Sequence, residues 1–168
     1  MPEESLNGRG VFLPSHHLLS DGEIELLVRV FTRLGVHKVR LTGGEPLLRP
    51  GFIELVSRIS AIDGITDLAL TTNAVLLPRY AAALKKAGLG RITVSLDSLD
   101  ETVFRKMAGG RGSVTEVMDG IRAAEEAGFE HLKINTVVQR NINEQTIPDL
   151  VAHFRNSGHT LRLIEFMD

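Results

Sequence analysis

Apolar residues return at helical spacing from Asp21 onward: Leu26, Leu27, Val30, Phe31 and Leu34. Intervals of three and four residues place them on one face of a helix. Ser20-Asp21-Gly22-Glu23 precedes them as a capping box, in which the serine and the glutamate three residues on satisfy each other's free amides. The pattern predicts a helix over Asp21–Leu34, closed by Gly35 in the left-handed position. Val36–Leu41 then reads as a strand. A helix follows over Gly51–Ile62, with Phe52, Leu55, Val56 and Ile59 on one face and Asp63-Gly64 as its stop. Asp67–Asn73 is a strand, Pro78–Ala87 a helix ended by Gly88, and Arg91–Asp97 a strand. Two helical segments, Asp100–Met107 and Ser113–Ala127, flank the turn Gly109-Gly110-Arg111-Gly112, and Gly128 closes the second. His131–Val138 is a strand, Asn143–Ser157 a helix, and Leu161–Asp168 a last strand.

Strands alternating with helices predict an α/β fold with a parallel sheet and right-handed crossovers. Five strands are expected. Residues 1–19 carry Gly8, Gly10 and Pro14 with little periodicity and read as an irregular segment. Residues 20–168 read as one domain, a length that suits a sizeable core.

The polar positions decide between a flat sheet and a section of barrel. Each strand carries polar residues at or near its carboxyl end, spaced two apart: Arg40 with Thr42, Thr71 with Asn73, Ser95 with Asp97, Lys133 with Asn135; the last has Arg162 and Glu165. Residues two apart share a face. A sheet covered by helices on both sides would bury these groups at a cost. A partial (β/α) barrel gives them a common polar ligand at its mouth. The stretch Lys38-Val39-Arg40-Leu41-Thr42-Gly43-Gly44-Glu45-Pro46 carries the same message, because a buried strand runs into two glycines, a carboxylate and a proline. Glycines let a ligand approach the backbone, and Pro46 ends the strand. The alternative is a tight strand-to-helix turn with a solvated Glu45.

Composition narrows the chemistry. A net charge of −2, from 19 basic and 21 acidic residues, gives no general drive toward nucleic acid or an anionic membrane. No apolar run reaches the length of a membrane span, and a cytoplasmic location is expected. The chain has no cysteine, so it offers no disulfide, no thiolate nucleophile and no thiolate ligand for zinc or an iron–sulfur cluster. Six histidines, with His16-His17 adjacent and the rest scattered, form no metal-site spacing and read as structural or surface groups. No catalytic residue and no metal ligand is predicted.

The motifs, taken together, resemble one family. Leu41-Thr42-Gly43-Gly44-Glu45-Pro46-Leu47-Leu48-Arg49, Leu70-Thr71-Thr72-Asn73, Val94-Ser95-Leu96-Asp97-Ser98-Leu99-Asp100, Lys133-Ile134-Asn135 and Ile164-Glu165-Phe166-Met167 are similar, in order and spacing, to the MoaA-type radical SAM enzymes. These are the GTP 3',8-cyclases that begin molybdenum cofactor biosynthesis. The resemblance runs from about Leu18 onward and implies a radical SAM partial barrel. It implies that Gly43, Gly44, Glu45, Ser95 and Met167 contact S-adenosylmethionine, with Glu45 suited to its ammonium. It implies that Arg40, Thr71 and Lys133, with Lys38 and Asn73 beside them, hold GTP. Two cations on an interior face suit a triphosphate. The alternative for them is an internal ion pair with Glu45 or Glu165.

The departures from the family matter as much. Its 4Fe–4S cluster is held by a C-x-x-x-C-x-x-C motif followed by Met-Pro and a Glu, and this chain opens Met1-Pro2-Glu3. The first barrel strand, the three cluster cysteines and the family's C-terminal part, with its second cluster, are therefore expected to be missing. Ala74 stands where the family usually has Gly. Three readings follow: a member of the family that is inactive alone, a nucleotide- or anion-binding module without radical chemistry, or a structural remnant. The strand starting at Val36 is expected to have its open edge covered by residues 1–19 or by a second copy of the chain.

Overall fold

The computed structural model of the protein describes residues 10–14 and 19–167. His16-His17 and Asp168 lie outside them. The described chain forms two compact units. The first takes the described residues up to Thr71 together with Ala83–Arg91, and the second takes Thr72–Ala82 and the residues from Ile92 onward.

The first unit holds β1 (Gly10–Pro14), α1 (Asp21–Arg33), β2 (Lys38–Thr42), a 3-10 turn (Pro46–Leu48), α2 (Phe52–Ser60) and most of β3 (Asp67–Thr72). Its strands are parallel and pair in chain order, Gly10 with Lys38 through Pro14 with Thr42, then Lys38 with Asp67 through Leu41 with Leu70. Helix α1 starts where its capping box dictates. The Ser20 hydroxyl accepts the Glu23 amide at 3.3 Å, and the Glu23 carboxylate accepts the Ser20 amide at 2.7 Å. In β2 the apolar Val39 and Leu41 are buried, while on the opposite face Lys38 is exposed and Arg40 and Thr42 are half-buried. Ile24 and Val28 of α1 and Leu55, Val56 and Ile59 of α2 are buried with Leu68 and Leu70. Each such Leu or Ile contributes about 1.5–3 kcal/mol. The glutamate between the two helices, Glu25, accepts from both Arg29 and Arg58, an exposed network of small energetic weight.

The second unit holds β4 (Arg91–Ser95, from Ile92), α4 (Glu101–Met107), α5 (Val114–Glu126), β5 (Lys133–Val138), a 3-10 turn (Glu144–Thr146), α6 (Ile147–Phe154) and β6 (Thr160–Glu165). Helix α3 (Leu77–Lys86) contributes residues to both units. Here too the strands are parallel and in chain order. Thr93 pairs with Lys133 and Ser95 with Asn135, then Lys133 with Thr160 through Val138 with Glu165. Asp100 and Ser113 cap α4 and α5 through the amides of Val103 and Glu116.

The parallel α/β class agrees with the sequence pattern, but the strand count does not. Among the described residues there are six strands rather than five, because Gly10–Pro14, expected to be irregular, forms β1. The reason is the open edge of β2. Its unpaired N–H and C=O groups need partners, and residues from the first nineteen supply them, as expected for the covering of that edge. Helix α6 also begins later than periodicity predicts. Pro148 occupies the first turn, where no amide is needed, and the residues before it form a 3-10 turn instead. Asn143, the expected helix start, instead donates its side-chain amide to the Asp97 and Val137 carbonyls.

Candidate functional site

In the first unit, β2 delivers its polar face to the Gly43-Gly44 turn. Arg40 donates from Nη1 to the Thr71 hydroxyl at 3.0 Å, joining two residues expected to share one ligand. Lys38 lies on the same face of β2 and is exposed. Gly43 and Gly44 both have positive φ, 105° and 50°, which explains why the turn needs two consecutive glycines. Gly44 is exposed and Glu45 half-buried. Glu45 does not simply dangle in solvent, because its Oε1 accepts the Leu47 amide at 3.1 Å and caps the 3-10 turn. The carboxylate is thus held at a fixed place beside the glycines.

Arg49 closes the motif and has a role that spacing did not reveal. Its guanidinium is nearly buried and donates to Asp21 Oδ1 at 2.6 Å and to the Leu19 carbonyl at 2.8 Å. It ties the end of the glycine turn to the start of α1. An arginine after Leu47-Leu48 is a weak sequence signal, since its partner lies 28 residues away.

In the second unit, Ser95 ends β4 with its side chain exposed, and its strand partner is Asn135. The Asn135 side-chain oxygen is buried with no hydrogen-bond partner. Such an atom costs free energy unless something donates to it, so it points to a missing donor on this face. Lys133 sits one step earlier on the same face of β5 and is half-buried. Asn73 is exposed and uses its Oδ1 to accept the Val75 amide at 3.1 Å. Met167 follows β6 and is 85% exposed. Burial pushes the Asp97 carboxyl above its ordinary range, against a lowering from the Val137 amide that donates to it.

A cavity of about 540 Å³ in the second unit is lined by Arg140, Glu144, Glu165 and Phe166 among others. It includes none of the predicted ligand residues. Among the described residues no group of three or more His, Asp or Glu side chains is placed to hold a metal ion, and no helix is long and apolar enough to cross a membrane.

The residues present fit one of the two groups expected on family grounds and not the other. In the first unit, the held Glu45 carboxylate and the Cβ-free turn suit a ligand bearing an ammonium. An iron–sulfur cluster has no thiolate here, since the chain contains no cysteine.

Parallel strands alternating with helices, β2 running into a glycine turn that carries a carboxylate, define an α/β protein. The chain belongs to the Radical SAM superfamily, which it matches over residues 8–154. It is 58% identical over 154 residues to a GTP 3',8-cyclase of Xanthomonas axonopodis pv. citri, covering 92% of this chain and 46% of that protein. A GTP 3',8-cyclase of Aquifex aeolicus is 49% identical over 157 residues, covering 94% of this chain and 49% of that protein. The chain therefore spans about half the length of the curated relatives it matches. Among solved structures, Streptococcus suis SuiB bound to S-adenosylmethionine superposes with a TM-score of 0.74 at 18% identity, covering 91% of this chain and 35% of that one. Methylornithine synthase gives 0.72 at 16% identity, covering 89% and 44%. These likenesses establish the fold, a partial α/β barrel.

Proposed function

We propose that this chain is the part of a GTP 3',8-cyclase-type protein that binds S-adenosylmethionine and GTP, acting in molybdenum cofactor biosynthesis. The observation that carries the reading is the 58% identity to a protein of that name over nearly the whole chain. The cofactor would lie against Gly43, Gly44 and Glu45, with Ser95 and the Met167 backbone as further contacts. The Glu45 carboxylate, fixed by the Leu47 amide, suits the cofactor's ammonium. GTP would be held by Arg40, Thr71 and Lys133, with Lys38 and Asn73 beside them. Arg40 is already oriented by Thr71, which reduces the ordering needed when phosphate binds.

The family reaction converts GTP to 3',8-cyclo-7,8-dihydro-GTP, and its first electron comes from a 4Fe–4S cluster. These residues supply binding and orientation, while that electron chemistry belongs to the cluster. Without cysteine, this chain alone does not turn over GTP. The absence of cysteine favours a second reading, in which the chain is a nucleotide- or anion-binding module without radical chemistry.

A thermal-shift series with GTP, S-adenosylmethionine and S-adenosylhomocysteine tests both. At about 100 times its dissociation constant, a bound ligand adds about 2.7 kcal/mol of stability. Stabilisation by both nucleotide and sulfonium ligand supports the first reading. Stabilisation by GTP and by inorganic triphosphate alone supports the second. No shift with any of them at millimolar concentration defeats both.

A further inference from the structure

Beyond β4, one further backbone bond and then side chains keep the chain of the second unit attached to β5. The Leu96 amide donates to the Asn135 carbonyl at 3.0 Å, and the Thr136 hydroxyl donates to the Leu96 carbonyl at 2.6 Å. The Val137 amide donates to the Asp97 carboxylate at 2.7 Å. Asn143 completes the attachment from the far end of the β5 loop. Its Nδ2 donates to the Asp97 carbonyl and to the Val137 carbonyl, each at 2.8 Å, and its Oδ1 accepts the Gln139 amide at 2.8 Å. The side chain is fully buried. Only a carboxamide of this length offers two donors and an acceptor from one planar group, and here all three are used. The same loop is anchored again where the Ser98 hydroxyl donates to Thr146 Oγ1, which itself donates to the Asn143 carbonyl.

Ser95 and Asn135 stand at the root of this assembly as strand partners, one with an exposed side chain and the other with an undonated oxygen. We infer that Asn143 is a positioning residue, which sets the spacing of Ser95 and Asn135 on the polar face by bolting the exit of β4 to the exit of β5. The inference rests on the reading above that Ser95 faces S-adenosylmethionine. Asn143 touches no ligand itself. It acts through the two carbonyls and the amide it holds. Without it, the part-buried Asp97 and Val137 carbonyls and Gln139 amide are left unpaired, and the loop relaxes to reach water.

The test compares Asn143→Ala with Val117→Ala, a core truncation on α5. Amide hydrogen exchange followed residue by residue reads the bolt, and calorimetry with S-adenosylmethionine reads its consequence. In Asn143→Ala, exchange at Leu96, Val137 and Gln139 rises by at least about tenfold over the rest of the unit, and affinity for S-adenosylmethionine falls by a similar factor. In Val117→Ala the exchange change follows global stability, and affinity matches the wild type. A uniform rise in Asn143→Ala, or an affinity equal to that of the wild type, overturns the inference. A wild-type chain that binds no S-adenosylmethionine overturns the functional reading instead, and the exchange pattern alone then supports or sinks the bolt.

Discussion

The guanidinium of Arg40 and the hydroxyl of Thr71 meet at 3.0 Å, 31 residues apart in the chain, within one compact unit. A cation on β2 is thereby aimed by a neutral group on β3, and the pair is half-buried.

Thr71→Val keeps the shape of the side chain and removes the acceptor. GTP affinity should fall by about tenfold, the value of one hydrogen bond to a charged group. Arg40→Lys should lose at least as much, because an ammonium cannot serve the hydroxyl and a phosphate with the same planar fork. Titration calorimetry with GTP measures both. Wild-type affinity in Thr71→Val would remove the pair from the site.

The glycine turn makes a prediction about stability that needs no ligand. Gly44, at φ 50°, lies in the left-handed region that other residues visit at a cost, and Gly43, at φ 105°, lies beyond it. Gly44→Ala should cost about 1–2 kcal/mol and Gly43→Ala more. Urea denaturation with an unchanged slope checks the ranking. Equal stabilities for the two variants and the wild type would mean that the turn relaxes freely.

Ala74 is buried, with φ 67°, an unusual conformation for a residue with a Cβ. Its carbonyl oxygen occupies the place where a Cβ on Gly120 would stand. Gly120→Ala must therefore move a backbone, and a loss of about 3 kcal/mol or more is expected. Ala74→Gly should raise stability by up to about 1 kcal/mol as the strain is relieved. Thermal unfolding of the two variants should move in opposite directions. Movement in the same direction would refute the strain argument.

Burial is the main influence on Asp97 and raises its carboxyl pKa in the folded chain. A raised acid binds its proton more tightly when folded than when unfolded. The stability it contributes is therefore present below the unfolded value, about 3.9, and is lost as pH rises through the folded one. Asp97→Asn keeps an oxygen for the Val137 amide and removes the titration. Melting temperatures across that range should fall with pH more steeply in the wild type than in the variant. Parallel curves would show that Asp97 does not titrate in this way.

Much of the fold was legible because it is local. The Ser20–Glu23 capping box lies within four residues, and the alternation of Val39 and Leu41 with Arg40 and Thr42 is a property of one strand. The motif order that marks the family is likewise written along the chain. Other features depend on residues far apart. Gly10–Pro14 becomes a strand only because β2 offers an edge. Asn143 leaves the helix pattern because carbonyls of Asp97 and Val137, 46 and 6 residues away, take its amide.

The sequence alone therefore determined the succession of helices and strands from α1 onward, the absence of thiolates and the resemblance to the family. Tertiary structure decided which polar groups are fixed in place: Arg40 by Thr71, Arg49 by Asp21, Glu45 by the Leu47 amide, and Asn135 left without a donor. The physical reason is range. Backbone preference and hydrophobic period act over a few residues. The partner of a buried polar group is chosen by whichever distant strand or turn the fold brings within about 3 Å.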